Sequence, residues 1–439
     1  MVARRCCCCP KPGPTSSNYT IMKLNPDDGS RVWHNDCIFV SNTKPSDFLI
    51  TGSSILGTVK VLHSGFNSGV PTPKSLRYAA LFLDGETGII SKQPEINGNF
   101  GTGGFYSIIE AENYFWLANH GGNKSIVIDK SDYSADLVSV GTTSIRRNLN
   151  VATWGDYLVG GYGFGTTYTG LTVYDTDGST VKWITLSDFS SEPHRMYAFC
   201  QANTDGKVVI FYRDHDDDPD THKVGIFDLD SETFDDELEL TYPVVRVDTT
   251  ETAYDFNGDY VAIVGSATEN VSTDPEHSVT VEVFNLNNLA AAHWSTSYHH
   301  STGFSEGAWV LGPMRVSSDG SEVACPASNY PQDSIAVLNS TGLKWRKTLT
   351  GYSFNNGSNG AMDVEFDGSG NVYTNGNNAS FEHMVVRLAS TDGSVDWERK
   401  FAHPSDPIEP DLRGVSRITA HGDGIFVCGE RTGTNPYSI

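Results

Sequence analysis

Two stretches from opposite ends of the chain decide the fold when they are read together: YTIMKLNPDDGSRVW, residues 19–33, and VSRITAHGDGIFVCGERTG, residues 415–433. The second holds two short apolar strands around a His-Gly-Asp-Gly turn. The first holds a strand, the turn Asn25 to Ser30, and a strand ending in Trp33. Turn residues with positive φ between alternating apolar runs are hairpin signals, because that backbone geometry matches the twist of paired strands. Each stretch is one half of a longer unit that occurs whole elsewhere in the chain.

The first half recurs as NVATWGDYLVGG from Asn150, TAYDFNGDYVAIVG from Thr252 and VEFDGSGNVYTNG from Val364. The second half recurs as ALFLDGETGII from Ala80, VYDTDGSTVKW from Val173, VLNSTGLKW from Val337 and RLASTDGSVDW from Arg387. Weaker copies begin at Ile126, Ile226 and Val283. Aligning Asn25, Asp84, Asp129, Asp175, Asp228, Asn285, Asn339 and Ala389 gives steps of 59, 45, 46, 53, 57, 54 and 50 residues. Four strands per step of that length are propeller blades. The expectation is therefore an all-β fold: one eight-bladed β-propeller of four-stranded blades, residues 19–439, closed by strands from both termini. Residues 1–18 form a separate Cys-rich tail and linker. Closure of this kind protects strand edges and ties the ring shut.

The turn-to-tryptophan segments LNPDDGSRVW and LASTDGSVDW resemble the tryptophan-docking repeats of the quinoprotein alcohol dehydrogenase-like superfamily, whose members are eight-bladed propellers. The resemblance spans nearly the whole chain as an architecture and implies a fold, not an activity. A quinone enzyme of that superfamily would carry a vicinal disulfide and calcium deep in the propeller. Here the adjacent cysteines, Cys6, Cys7, Cys8 and Cys9, precede the first strand, so no catalytic residue is carried over and no cofactor is expected. The repeated Asp, Gly and Trp residues read as scaffold: turn acceptors, positive-φ positions and fillers between blades.

With 54 acidic against 30 basic residues the formal charge is −24, which repels a phosphate backbone and excludes nucleic acid as a partner. The chain has no apolar run of about 18 residues to cross a bilayer, and MVARRCCCCPKPGPTSS lacks the apolar core of a secretory signal. Cys37, Cys200, Cys325 and Cys428 stand singly in strand patterns, where buried reduced thiols are expected. In RDHDDDPDTHK, Asp214, Asp216, Asp218 and Asp220 alternate along a loop; such carboxylates hold calcium if the loop curls, and otherwise form a solvated acidic loop, the favoured reading. Neither His215 with His222 nor His299 with His300 supplies the three or four converging ligands that zinc needs. Tyr162, Phe164 and Tyr168 in GYGFGTTYTG offer stacking surfaces to a sugar or a protein.

These features favour a non-enzymatic structural or recognition propeller in a larger assembly, a phage tail or capsid-surface component of a virion being the best-fitting setting. Cys6 to Cys9 would attach the ring to other subunits through metal, disulfide or packed thiols. An extracellular glycan- or protein-binding propeller and an enzyme using the central channel are the alternatives.

Overall fold

The computed structural model describes residues 18–38, 43–51, 54–61, 80–92, 94, 104–120, 124–140, 151–162, 170–185, 195–202, 204–214, 221–241, 254–266, 278–299, 314–329, 332–349, 363–377, 383–401 and 413–431. These form eight antiparallel four-stranded sheets. We number the blades in chain order: residues 43–92, 104–139, 151–185, 195–239, 254–299, 315–348 and 364–401 are blades 1 to 7. Blade 8 is composite. Its inner strands Arg413–His421 and Gly424–Arg431 come from the C-terminal side, and its outer strands Asn18–Leu24 and Arg31–Ile38 from the N-terminal side. The register pairs Asn18 with Arg431, Thr20 with Gly429 and Leu24 with Ile425, as the split repeat predicts. The first strand of the ring begins at Asn18.

Lys23 shows how this seam is locked. Its stem is buried against Gly424 and its ammonium meets Asp423 at 2.9 Å, in the same blade, and Glu86 at 3.3 Å, in blade 1. One side chain thus ties an N-terminal strand both to a C-terminal hairpin and to the next blade.

Each blade's first strand is innermost. Packing runs from Arg413–His421 to Thr43–Thr51, on to Gly104–Glu110, Val151–Trp154 and Arg195–Gln201, and again from Tyr254–Asn257 through Arg315–Val316 and Val364–Phe366 back to Arg413–His421. Apolar residues between sheets make the core, for example Phe211 against Tyr254 with ring centroids 4.6 Å apart. Burying these faces between blades is what holds a propeller together, since no blade can cover its own two faces.

All eight aligned positions fall at the turn between the third and fourth strands. Seven accept a backbone N–H there with a side-chain oxygen: Asn25 from Asp27, Asp84 from Glu86, Asp129 from Ser131, Asp175 from Thr176, Asp228 from Asp230, Asn285 from Asn287 and Asn339 from Thr341. Ala389 has no such oxygen, and its turn rests on the carbonyl bond from Gly393 N–H that the Asn25 and Asp84 turns also make, from Gly29 and Gly88. A second acceptor follows in several turns: Asp28, Asp132, Asp177 and Asp392 hold the N–H of the serine two residues on. Those serine hydrogen bonds keep the four carboxyls below the usual carboxylate range. Asn339 Oδ1 also accepts from Thr341 Oγ1.

The tryptophans dock on the following blade. Trp33, Trp345 and Trp397 donate Nε1 to Gly85, Ser390 and Pro26 carbonyls at 3.0, 3.0 and 2.8 Å, one residue beyond the aligned turn position in each case. Their rings lie on Gly88, Gly393 and Gly29, where a Cβ would sit 2.4 to 2.6 Å from ring carbon. Trp294 makes a related contact with the Gly320 carbonyl. Trp183 departs from the sequence reading: it is 58% exposed. The turn before it closes from Gly178 to Asp175, one residue tighter than Gly29 to Asn25, so Lys182 pairs with Val173 at the place where Trp33 pairs with Lys23. A one-residue slip reverses the side a strand residue faces. Lys182 takes over the docking role, donating to the Leu229 carbonyl of blade 4 at 2.7 Å.

Candidate functional site

A cluster of one guanidinium and three carboxylates lies at the innermost strands of blades 5 to 7, with a backbone amide of blade 8 beside it. Tyr254–Asn257 is a short strand flanked by the tight turn at Gly258, and it carries Asp255 toward blade 6. Arg315–Val316 supplies the cation, and Val364–Phe366 carries Glu365, two residues after Asp363. Arg315 Nη1 donates to Asp255 Oδ1 at 3.2 Å, Nη2 to Asp363 Oδ1 at 3.2 Å and Nε to Glu365 Oε2 at 3.4 Å. The second oxygens of the two aspartates bind backbone: Asp255 Oδ2 accepts from Val316 N at 2.7 Å and Asp363 Oδ2 from Ile418 N at 3.0 Å. Asp363 is itself held by Asn375, which accepts its N–H at 2.6 Å. Four blades meet through one guanidinium and three acids.

Burial dominates the electrostatics. It pushes Glu365 up to about 7 and Asp255 up to about 6 against the pull of Arg315. Burial opposes the Arg315 charge, but Asp363, Asp255 and Glu365 outweigh it and hold the guanidinium above its ordinary value. Desolvation followed by the Asp255 charge raises both neighbouring thiols, Cys325 to about 12, so neither is a nucleophile at neutral pH. Cys200 and Cys325 are buried and free, as expected.

A cleft of about 430 Å³ opens between the turns of blades 2, 3 and 4, lined by Tyr114, Trp154, Tyr157, Asp156, Asp175 and Asp205. Its carboxylates already latch neighbouring blades: Asp156 accepts from Asn113 N and Nδ2, and Asp205 from Gly155 N. Lys182 Nζ stands 5.7 Å from the centre of the Trp154 ring.

The sequence-derived candidates are placed differently. Asp214 ends the strand Lys207–Asp214 and pairs with Thr221, while Asp216, Asp218 and Asp220 lie outside the described residues, as do Cys6, Cys7, Cys8 and Cys9. Phe164 and Tyr168 also lie outside them. Among the described residues, no group of three His, Cys, Asp or Glu side chains is set to hold a metal ion. The Arg315 cluster was not anticipated. Its members are 48 to 60 residues from Arg315 except for the neighbouring backbone, and nothing local marks them.

Among solved structures the chain is similar to Hsv2 of Kluyveromyces lactis, with 11% identity, a TM-score of 0.45, and 82% of this chain and 98% of that one covered. It is also similar to apo AztD of Citrobacter koseri, at 8% identity and TM-score 0.46 over 96% and 100% of the chains. The Dos1 propeller aligns at 9% identity and TM-score 0.48 over 86% and 90%. No family model and no curated protein matches the sequence. What this chain shares with those structures is the propeller fold.

Proposed function

We propose that the chain is a non-catalytic structural or recognition propeller of a larger assembly, a virion surface component in the setting that best fits its charge and tail, joined to other subunits by residues 1–17. It belongs by this reading with the tryptophan-docking propellers of the quinoprotein-like superfamily in architecture alone. One observation carries the reading. Asn18 and Arg431 are paired side by side, so the chain enters and leaves the ring at one end. In antiparallel blades the connections from second to third strand and from each blade to the next depart from that same end, while the opposite end consists of short turns capped by their own Asp and Asn side chains. Attachment at the connecting end leaves the docked core of the ring undisturbed.

Removing residues 1–17 is expected to change folding stability by less than ~0.5 kcal/mol, because the seam begins at Asn18. The same deletion is expected to abolish association, read by sedimentation of the full and shortened chains. Serine at Cys6 to Cys9 separates thiol bonding from simple tethering. A shortened chain that unfolds, or that associates as before, refutes the attachment role.

A further inference from the structure

We propose that the Arg315 quartet is an acid-tightened clasp that holds the arc of blades 5 to 8 more firmly as the medium turns from alkaline to mildly acidic. The geometry is lopsided: one guanidinium serves three carboxylates within 3.4 Å. Asp363 is fully buried and bridges blades 6, 7 and 8 through Arg315 Nη2, Val364 N and Ile418 N. Asp255 is fixed to the Val316 amide. Glu365 is the loosest member, with one long hydrogen bond to Arg315 and a side chain 19% exposed, so a proton from solvent has a path to it. Among the described residues, the charged and titratable groups facing it are Arg315, Asp363 and Asp255, with the Cys200 and Cys325 thiols beyond Asp255. A proton on Glu365 Oε removes one of the two surplus negative charges and leaves Arg315 to Asp255 and Asp363.

The sign follows from linkage. Glu365 and Asp255 are raised above their unfolded values, to about 7 and about 6, so the folded ring binds more protons than the unfolded chain in the mildly acidic range. Stability contributed by the clasp is therefore present below that window and lost as pH rises through about 7. General relief of a −24 charge on acidification acts in the same direction, so the test must be a comparison.

Thermal midpoints of the full chain are measured at pH 8 and pH 5.5 at fixed ionic strength. The wild type is expected to gain about 3 °C on acidification. Glu365→Gln is expected to start higher at pH 8 and to lose most of that gain, whereas Asp230→Asn, at an exposed turn, keeps it. A carboxyl-carbon NMR titration of the unaltered protein gives a second readout, with the Glu365 signal moving near pH 7. Glu365 titrating in the ordinary range of about 4–5, or a Glu365→Gln chain with the full wild-type gain, overturns the clasp.

Discussion

Trp397→Ala is expected to lower folding stability by about 3–5 kcal/mol, whereas Trp183→Ala stays within ~0.5 kcal/mol. Both residues end the same repeat pattern, and the contrast tests the docking geometry directly. Trp397 is 8% exposed and lies on Gly29 of the composite blade. Its Nε1 donates to the Pro26 carbonyl at 2.8 Å, and its ring centre is 5.9 Å from that of Tyr373. Truncation leaves a void between blades 7 and 8 and removes a donor from Pro26, which keeps only the longer bond from Arg387 Nη1 at 3.2 Å. Trp183 fills no such space. Its docking role has passed to Lys182, and more than half of its surface faces solvent. Urea midpoints for the two variants decide the matter: equal losses would mean that the tryptophans do not differ in docking.

Arg315→Met carries the second large effect, about 3–5 kcal/mol of destabilisation at pH 8. Methionine fills similar volume, so the loss arises from charge rather than from a cavity. Without the guanidinium, Asp255, Asp363 and Glu365 share a nearly dry site with only backbone amides to oppose their repulsion. The sign of the pH dependence is set by the same groups. Glu365 and Asp255 already bind protons more readily when folded, and removing the cation strengthens that tendency. The penalty should therefore shrink as pH falls from 8 toward 5. A penalty that is small at pH 8, or that grows on acidification, would show that the cluster is not the charge-balanced joint its distances describe.

The blades and their seam were legible because their signals are local. An Asn or Asp at a strand end binds amides two or three residues away, and a glycine next to it supplies positive φ, so the turn is specified by a handful of neighbours. Even the Trp183 exception is written in spacing. Gly29 and Gly393 stand four residues before Trp33 and Trp397, while Gly178 stands five before Trp183, and in a two-residue period that single step turns the ring outward. Counting from the glycine would have assigned the docking role to Lys182.

The Arg315 quartet had no such signal. A lone Arg after a loop, one acid in the repeat before it and two in the repeat after it look like ordinary surface charges among 54 acidic residues. The same is true of Asp156 and Asp205, whose partners Asn113 and Gly155 belong to the preceding blade. By itself the sequence determined the number of blades, the capped turns and the composite seam, since the turn chemistry and strand alternation that mark each half-blade are local and recur along the chain; it marked the tryptophans as fillers between blades, with Trp183 the exception. Only the tertiary structure decided which charges meet at the inner wall, because that depends on the ring bringing the first strands of four blades together, and burial there gives Asp255 and Glu365 properties that no local pattern encodes.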